Sequence, residues 1–154
     1  MTAVTASRPA PTADRTDRRL RIAILILALI GIGVAGYLTY THYDKIKVLC
    51  LASGGCETVQ ASSYAKLDGI PVAVLGLIGY ICILGSVAVR GELGRIIGFA
   101  VALIGFLFSM YLTYREGFTI HAWCQWCLSS AFLMTLLVIL TAIRAVRDQP
   151  AVTS

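Results

Sequence analysis

IPVAVLGLIGYICILGSVAVRGELGRIIGFAVALIGFLFSMYLTY, residues 70–114, holds two long apolar runs around a short connection that carries every charge in the stretch. A helix needs roughly 17–25 apolar residues to cross the hydrocarbon layer of a bilayer. Residues 70–89 and 96–114 both meet that length without an internal charge. Barrel strands would alternate polar and apolar side chains every second residue, and these runs are apolar on all sides. Arg90-Gly91-Glu92-Leu93-Gly94-Arg95 is a tight link, so the two runs read as an antiparallel helical hairpin. Gly69-Ile70-Pro71 puts a proline in the first turn of the earlier helix, where its missing N–H costs nothing.

Two further apolar runs flank this hairpin. One covers residues 22–40, and the other begins between Gly117 and Cys127 and ends at Ile143. The expected fold is an all-α integral membrane protein: a four-transmembrane-helix bundle with spans at about 22–40, 70–89, 96–114 and 124–143. An extracytoplasmic loop, residues 41–69, joins helices 1 and 2. Composition agrees, since 58% of the 154 residues are hydrophobic and only 14% are charged. Soluble domains carry about 25% charged residues, and one of ~150 residues keeps roughly 30% of its chain surface wet. A soluble domain and long disorder are both excluded on those grounds. Gly31, Gly33, Ala35 and Gly36, with Gly76 and Gly79, are expected to permit close helix approach. Residues 1–19, rich in Pro, Thr and Ala, read as a disordered cytoplasmic tail, residues 20–145 as the membrane domain and 146–154 as a second tail.

The net charge of +5 would suggest nucleic acid in a soluble protein, but here the charges sit between spans. With both termini on one side, that side carries nine Arg (Arg8, Arg15, Arg18, Arg19, Arg21, Arg90, Arg95, Arg144 and Arg147). The other side has Lys45, Lys47, Lys66 and Arg115. The positive-inside rule then puts both termini in the cytoplasm, in the inner (cytoplasmic) membrane of a cell. Residues 18–36 fit a cleaved signal peptide less well, because the apolar run continues into Tyr37-Leu38.

Four of the five cysteines fall on the outer side. Cys50 and Cys56 lie in the loop, and Cys124 and Cys127 form Cys-Gln-Trp-Cys at the mouth of the fourth span. Disulfides persist in that oxidising compartment. A CxxC at a helix start also meets unpaired N–H groups and the positive end of the helix dipole, which lower thiol pKa and make the pair exchangeable. Two structural disulfides stapling the loops would use the same four cysteines, and so would a zinc site helped by His121. Oxidising surroundings and the helix-start position count against zinc. Cys82, mid-span, reads as core packing. His121 is either a proton shuttle or a headgroup-region residue, and Tyr37, Tyr40, Tyr111 and Tyr114 read as an interfacial belt. Ser129 and Ser130 either bond back to the preceding turn or face a ligand.

Two pairs of exchangeable thiols pass two electrons at a time through mixed disulfides. A soluble protein reaches the loop pair, whereas the CxxC faces the membrane, where a quinone is the abundant two-electron carrier. A bundle of four helices can hold one.

Cys50 and Cys56-Glu57-Thr58-Val59-Gln60-Ala61-Ser62-Ser63-Tyr64, then Gly69-Ile70-Pro71 and Gly76, then the Cys124–Cys127 motif on the last helix, together resemble the vitamin K epoxide reductase family, in its short bacterial form. The resemblance covers about residues 20–145. It implies a four-helix bundle around a quinone, menaquinone or ubiquinone, working as a thiol-disulfide oxidoreductase in disulfide formation. Cys50 and Cys56 would take electrons from a separate thioredoxin-like (DsbA-like) periplasmic protein. Cys124 would receive them, and Cys127 would reduce the quinone. Ser62 matches a family hydroxyl position near these cysteines. Val72 and Ala131 stand where the vertebrate enzymes hold an Asn and a Tyr against their substrate's oxygens. That difference favours an ordinary quinone over an epoxide, with Val72, Cys127, Ser130 and Ala131 as the residues facing it. A vitamin K epoxide or quinone reductase proper and a non-enzymatic scaffold are the competing readings. A quinone-linked oxidase of the DsbB type would carry its CxxC in the first outside loop; here that order is reversed.

Overall fold

A computed structural model describes residues 11–51 and 55–147. Among them, helix α1 spans Pro11–Tyr43, the short α2 Gly55–Ala61, α3 Val72–Ala88, α4 Glu92–Arg115 and α5 Gln125–Arg147. A 3₁₀ turn at Ser63–Ala65 follows α2, and a π-helical turn at Glu116–Ile120 continues α4. Strand β1 (Lys66–Leu67) pairs antiparallel with β2 (Ile70–Pro71), forming a two-residue hairpin.

An all-α membrane protein is what these helices make. In lipid a backbone must satisfy its own hydrogen bonds, which a helix does and an open strand does not. Three segments are long and apolar enough to cross a membrane: Asp14–Tyr43, Glu92–Ile120 and Gln125–Arg147. Helix α3, of 17 residues, is apolar but shorter. The long helices close a ring in which α1 packs on α3, α3 on α4, α4 on α5 and α5 back on α1. Ile24, Ala28, Tyr80, Ile83, Met134 and Leu137 fill its centre. Phe132 and Val146 are more than 60% exposed on its outside. Such a surface is stable against hydrocarbon and costly against water.

Helix boundaries depart from the sequence reading at several points. Pro71 stands immediately ahead of α3 as its N-cap, with ψ 133°, and not within the first turn. The reason is β2, which holds Ile70 and Pro71 extended against β1. Residues 11–19, expected as tail, are the first turns of α1. There Asp14 sits in the first turn, where the dipole favours an acid, and Asp17 bonds Arg21 one turn on at 2.7 Å. Residues 1–10 and 148–154 of the two expected tails lie outside the described residues. At the C-terminal boundary, α5 carries on through Arg147.

Close helix approach falls at Gly31 among the expected glycines, and not at most of the others. A Cβ on Gly33, Gly36 or Gly76 would meet nothing within 4 Å. At Gly31, by contrast, it would run into the Tyr80 ring. Tyr80 is fully buried, and its hydroxyl reaches Ser130 Oγ at 2.8 Å, so this one glycine lets α3 seat against α1 and lock to α5.

The N-terminal part of α1 and the C-terminal end of α5 meet through Asp17 and Arg144, 3.3 Å apart. Arg144 is only 3% exposed. Removing one partner of a buried pair strands the other charge, at a cost of about 3 kcal/mol. Asp17→Ala is therefore expected to lower the thermal midpoint of the detergent-solubilised protein clearly, and Asp17→Glu to keep most of it. Equal midpoints for Asp17→Ala and wild type would show that the pair contributes nothing.

Candidate active site

Beyond Tyr43 the chain folds back over the end of the bundle, and Cys50 becomes joined to Cys56 of α2 in a disulfide with Cα atoms 6.0 Å apart. Cys56 and Cys124 are both 0% exposed. They form one buried cluster with Val59, against which Cys50, Trp126 and Cys127 also pack. Cys50, Cys56, Cys124 and Cys127 thus meet in one place.

The residues inside the CxxC motif hold the loop there. Trp126 Nε1–H donates to the Leu49 carbonyl at 2.8 Å. Gln125 Oε1 accepts the Leu51 N–H at 3.2 Å. From α1, the Tyr37 hydroxyl accepts the Leu49 N–H at 3.1 Å, and its ring lies 5.1 Å from that of Trp126. The backbone on both sides of Cys50 is therefore fixed by the two residues that separate Cys124 from Cys127. Gly55 completes the seat, since a Cβ there would come within 2.6 Å of the Trp123 carbonyl oxygen.

Cys124 lies one residue ahead of α5, and its carbonyl accepts the Leu128 N–H at 3.0 Å, opening the helix. A hydrogen bond from the Cys127 thiol holds the Cys124 thiol below the ordinary cysteine range. Burial opposes that shift, the Cys127 and Trp126 N–H groups support it, and the Glu116 carboxylate opposes it. The two sulfurs are therefore unequal: Cys127 is the donor and Cys124 the acceptor.

Glu116 reaches this pair because of the π-helical turn. The Ala122 N–H bonds back to the Glu116 carbonyl at 3.2 Å, and His121 ends the turn in the left-handed region, at φ 52°. The turn directs the Glu116 side chain inward, where it is 3% exposed and accepts the Cys124 N–H on Oε2 at 3.3 Å. Cys127 borders the same cavity as this carboxylate. Arg115, the preceding residue, turns away. Its guanidinium lies 5.0 Å from the Tyr64 ring and 5.1 Å from the Tyr111 ring, tying the loop to α4.

Below the cluster, between the helices, is a cavity of about 490 Å³, within the ~300–1,000 Å³ usual for small-molecule sites. Its walls are apolar, with Val72, Ile104, Phe108 and Leu112 among them. Glu116, Cys127, Ser62 and Ser130 supply polar edges. Ser62 donates its hydroxyl to the Val59 carbonyl at 2.6 Å, and Ser130 is the partner of Tyr80. Ala131 is buried on α5 and is not on the cavity wall, whereas Val72, Ser130 and Cys127 are. Cys82, expected in the core, is exposed and borders the cavity. The core side of α3 is taken by Tyr80 and Ile83, which leaves Cys82 on the other face.

An apolar cavity with a thiol and a carboxyl at one edge suits a flat, lipid-soluble carrier with polar oxygens. The sequence reading missed Glu116 because it ended the third span at Tyr114. An ionisable residue carried into a span is a functional signal by default, and extending the helix by one turn would have exposed it. The model of the Vitamin K epoxide reductase family matches residues 22–142, and the chain, with its paired cysteines set over an apolar cavity, belongs to that family.

Proposed function

We propose that this protein is a membrane thiol-disulfide oxidoreductase that takes electrons from a thioredoxin-like partner and delivers them to a quinone. Family membership carries the coarser part, an oxidoreductase of the membrane. The observation behind the finer part is the burial of Cys56 with Cys124 in one cluster, next to the cavity that Cys127 borders. Two disulfide staples would keep the pairs apart and closed. Here the loop pair is joined while Cys124 and Cys127 are free thiols. A four-cysteine zinc site is disfavoured because Cys50 and Cys56 are bonded to one another.

Cys50, half-buried between the exposed Leu49 and Leu51, is the sulfur that a partner's thiolate attacks. Cys56 leaves as a thiolate and faces Cys124. The partner's second thiol resolves its mixed disulfide with Cys50, leaving as a disulfide and freeing the Cys50 thiol. Attack of Cys56 on a Cys124–Cys127 disulfide passes both electrons inward, and Cys50 then attacks Cys56 and releases Cys124. Val72, Ile104 and Phe108 bind the ring of a quinone in the cavity, and Ser62 and Ser130 border it. A bound quinone, menaquinone or ubiquinone, supplies a two-electron, two-proton acceptor. Four spans with both termini in the cytoplasm put the sulfur cluster on the outer face. The Asp17–Arg144 pair supports this, because it joins the N-terminal end of the first helix to the C-terminal end of the last, at the end of the bundle away from the sulfur cluster.

Oxygen-free turnover of the purified protein in lipid discs, with defined quinones and a reduced thioredoxin-like protein, tests the reading. Quinol is expected to form at one per two thiols lost. No quinol, or quinol formed equally without the dithiol, would overturn it. An impermeant maleimide added to intact cells after mild reduction is expected to label Cys50. Labelling only after lysis would contradict the orientation.

A further inference from the structure

We propose that Glu116 is the proton partner of Cys127, giving a proton to that sulfur as it leaves the Cys124–Cys127 disulfide and taking one back on reoxidation. Glu116 is 3% exposed, at the edge of an apolar cavity. A permanent carboxylate there lacks solvent, and among the described residues the ion pairs are those of Asp17 with Arg21 and Arg144, not of Glu116. It accepts the Cys124 N–H at 3.3 Å and shares the cavity edge with Cys127. It therefore holds one member of the redox pair and faces the cavity that the other borders. A structural helix cap needs the first contact only; the second places an acid beside a reacting sulfur.

The exchange step balances with this chain's own groups. The Cys56 thiolate attacks Cys124 Sγ, the Cys56–Cys124 bond forms and the Cys124–Cys127 bond breaks. Cys127 leaves with the electron pair and takes the proton of the Glu116 carboxyl. Cys50 then releases its proton to water and attacks Cys56. The loop pair ends as a disulfide, Cys124 as a thiolate, Cys127 as a thiol and Glu116 as a carboxylate. The observed bonding matches that end point: the loop pair is joined and Cys124 and Cys127 are not. A thiolate leaving into an apolar pocket without a proton donor is a poor leaving group, and a positioned acid accelerates such steps by about 10²–10⁴-fold.

Other ionisable groups do not substitute. Cys56, from α2, is held in the disulfide, and Glu57 on the same helix is exposed. His121 is exposed beyond the turn. Arg115 is occupied by Tyr64 and Tyr111.

The test uses full-length protein in lipid discs with both pairs oxidised, mixed with a reduced thioredoxin-like protein in the absence of quinone. Samples are quenched with an alkylating reagent, and thiols at Cys124 and Cys127 are counted by mass. Glu116→Gln keeps an oxygen for the Cys124 N–H but has no proton to give. Its rate of thiol appearance is expected to fall about 10²-fold. The wild-type rate should fall as rising pH removes the Glu116 proton, and the variant should lack that fall. Glu116→Asp should regain part of the rate, with its fall moved along the pH axis. A wild-type rate and pH profile in Glu116→Gln would overturn the proposal. If the Gln variant does not fold, as judged by its thermal transition, Glu116→Asp decides: an unmoved pH profile overturns the proposal and a moved one supports it. The inference rests on exchange between the two pairs. A wild-type protein that never reduces its CxxC would sink that reading, whereas normal exchange in Glu116→Gln sinks only the role of Glu116.

Discussion

Replacing Cys127 with Ser is expected to cut quinone reduction by at least about 10³-fold, the scale of loss when a reacting group is removed. The loop pair should still exchange with a dithiol partner, because Cys50 and Cys56 bond to each other without help from Cys127. Without a second thiol, Cys124 cannot close its own disulfide, and only the mixed Cys56–Cys124 bond is open to it. The double variant Cys50→Ser with Cys127→Ser should therefore cross-link Cys56 to Cys124 under mild oxidation, since both are 0% exposed in one cluster. The pairing left by Cys56→Ser with Cys127→Ser, Cys50 with Cys124, should form far less. Peptide mapping by mass reads both. Quinone reduction at the normal rate in Cys127→Ser membranes would put the exit of the electrons elsewhere.

Trp126→Ala is expected to slow exchange between the pairs by about 10²-fold, although Trp126 donates no electron and has no acid proton to give. Its indole N–H bonds the Leu49 carbonyl, and its ring packs on Tyr37, so it fixes the chain that carries Cys50. In-line attack of one sulfur on another tolerates little displacement, and an error of ~1 Å can cost about 10²-fold. Trp126→Phe keeps the ring and loses one hydrogen bond, worth about 1 kcal/mol, so its loss should be much smaller. Rapid-quench thiol mapping measures both. Equal rates for wild type and Trp126→Ala would mean that the loop finds its place without this anchor.

Helices were legible in the sequence because lipid leaves the backbone no other choice. Residues 96–114 fall within one long helix, and the apolar run around 72–88 within another, from pattern alone. Boundaries were less legible where short-range pairing competed with the helix. Ile70-Pro71 joined a two-residue hairpin, and the charged stretch around Asp17 became helical through its bond to Arg21. Small residues marked helix contact only in aggregate. Gly31 meets Tyr80 while Gly33 and Gly36 meet nothing, a matter of helix rotation that composition does not carry.

The cysteines declared themselves through type and spacing. What holds them did not. Gln125 and Trp126 act through hydrogen bonds to Leu51 and Leu49, more than 70 residues away in sequence. Glu116 lies eight residues from Cys124 and reaches it only because a π-helical turn and a left-handed His121 bring the chain back. Turn geometry of that kind has no periodic signature.

The relay as a whole depends on electrons passing from the loop pair to the CxxC pair. Fully oxidised protein, mixed without quinone with one equivalent of reduced thioredoxin-like protein and quenched at intervals, shows where they go. Thiols are predicted to appear first at Cys50 and Cys56 and to finish at Cys124 and Cys127, with the loop disulfide closed again. Thiols that remain on the loop pair, or that appear on Cys124 and Cys127 before the loop opens, would contradict the account.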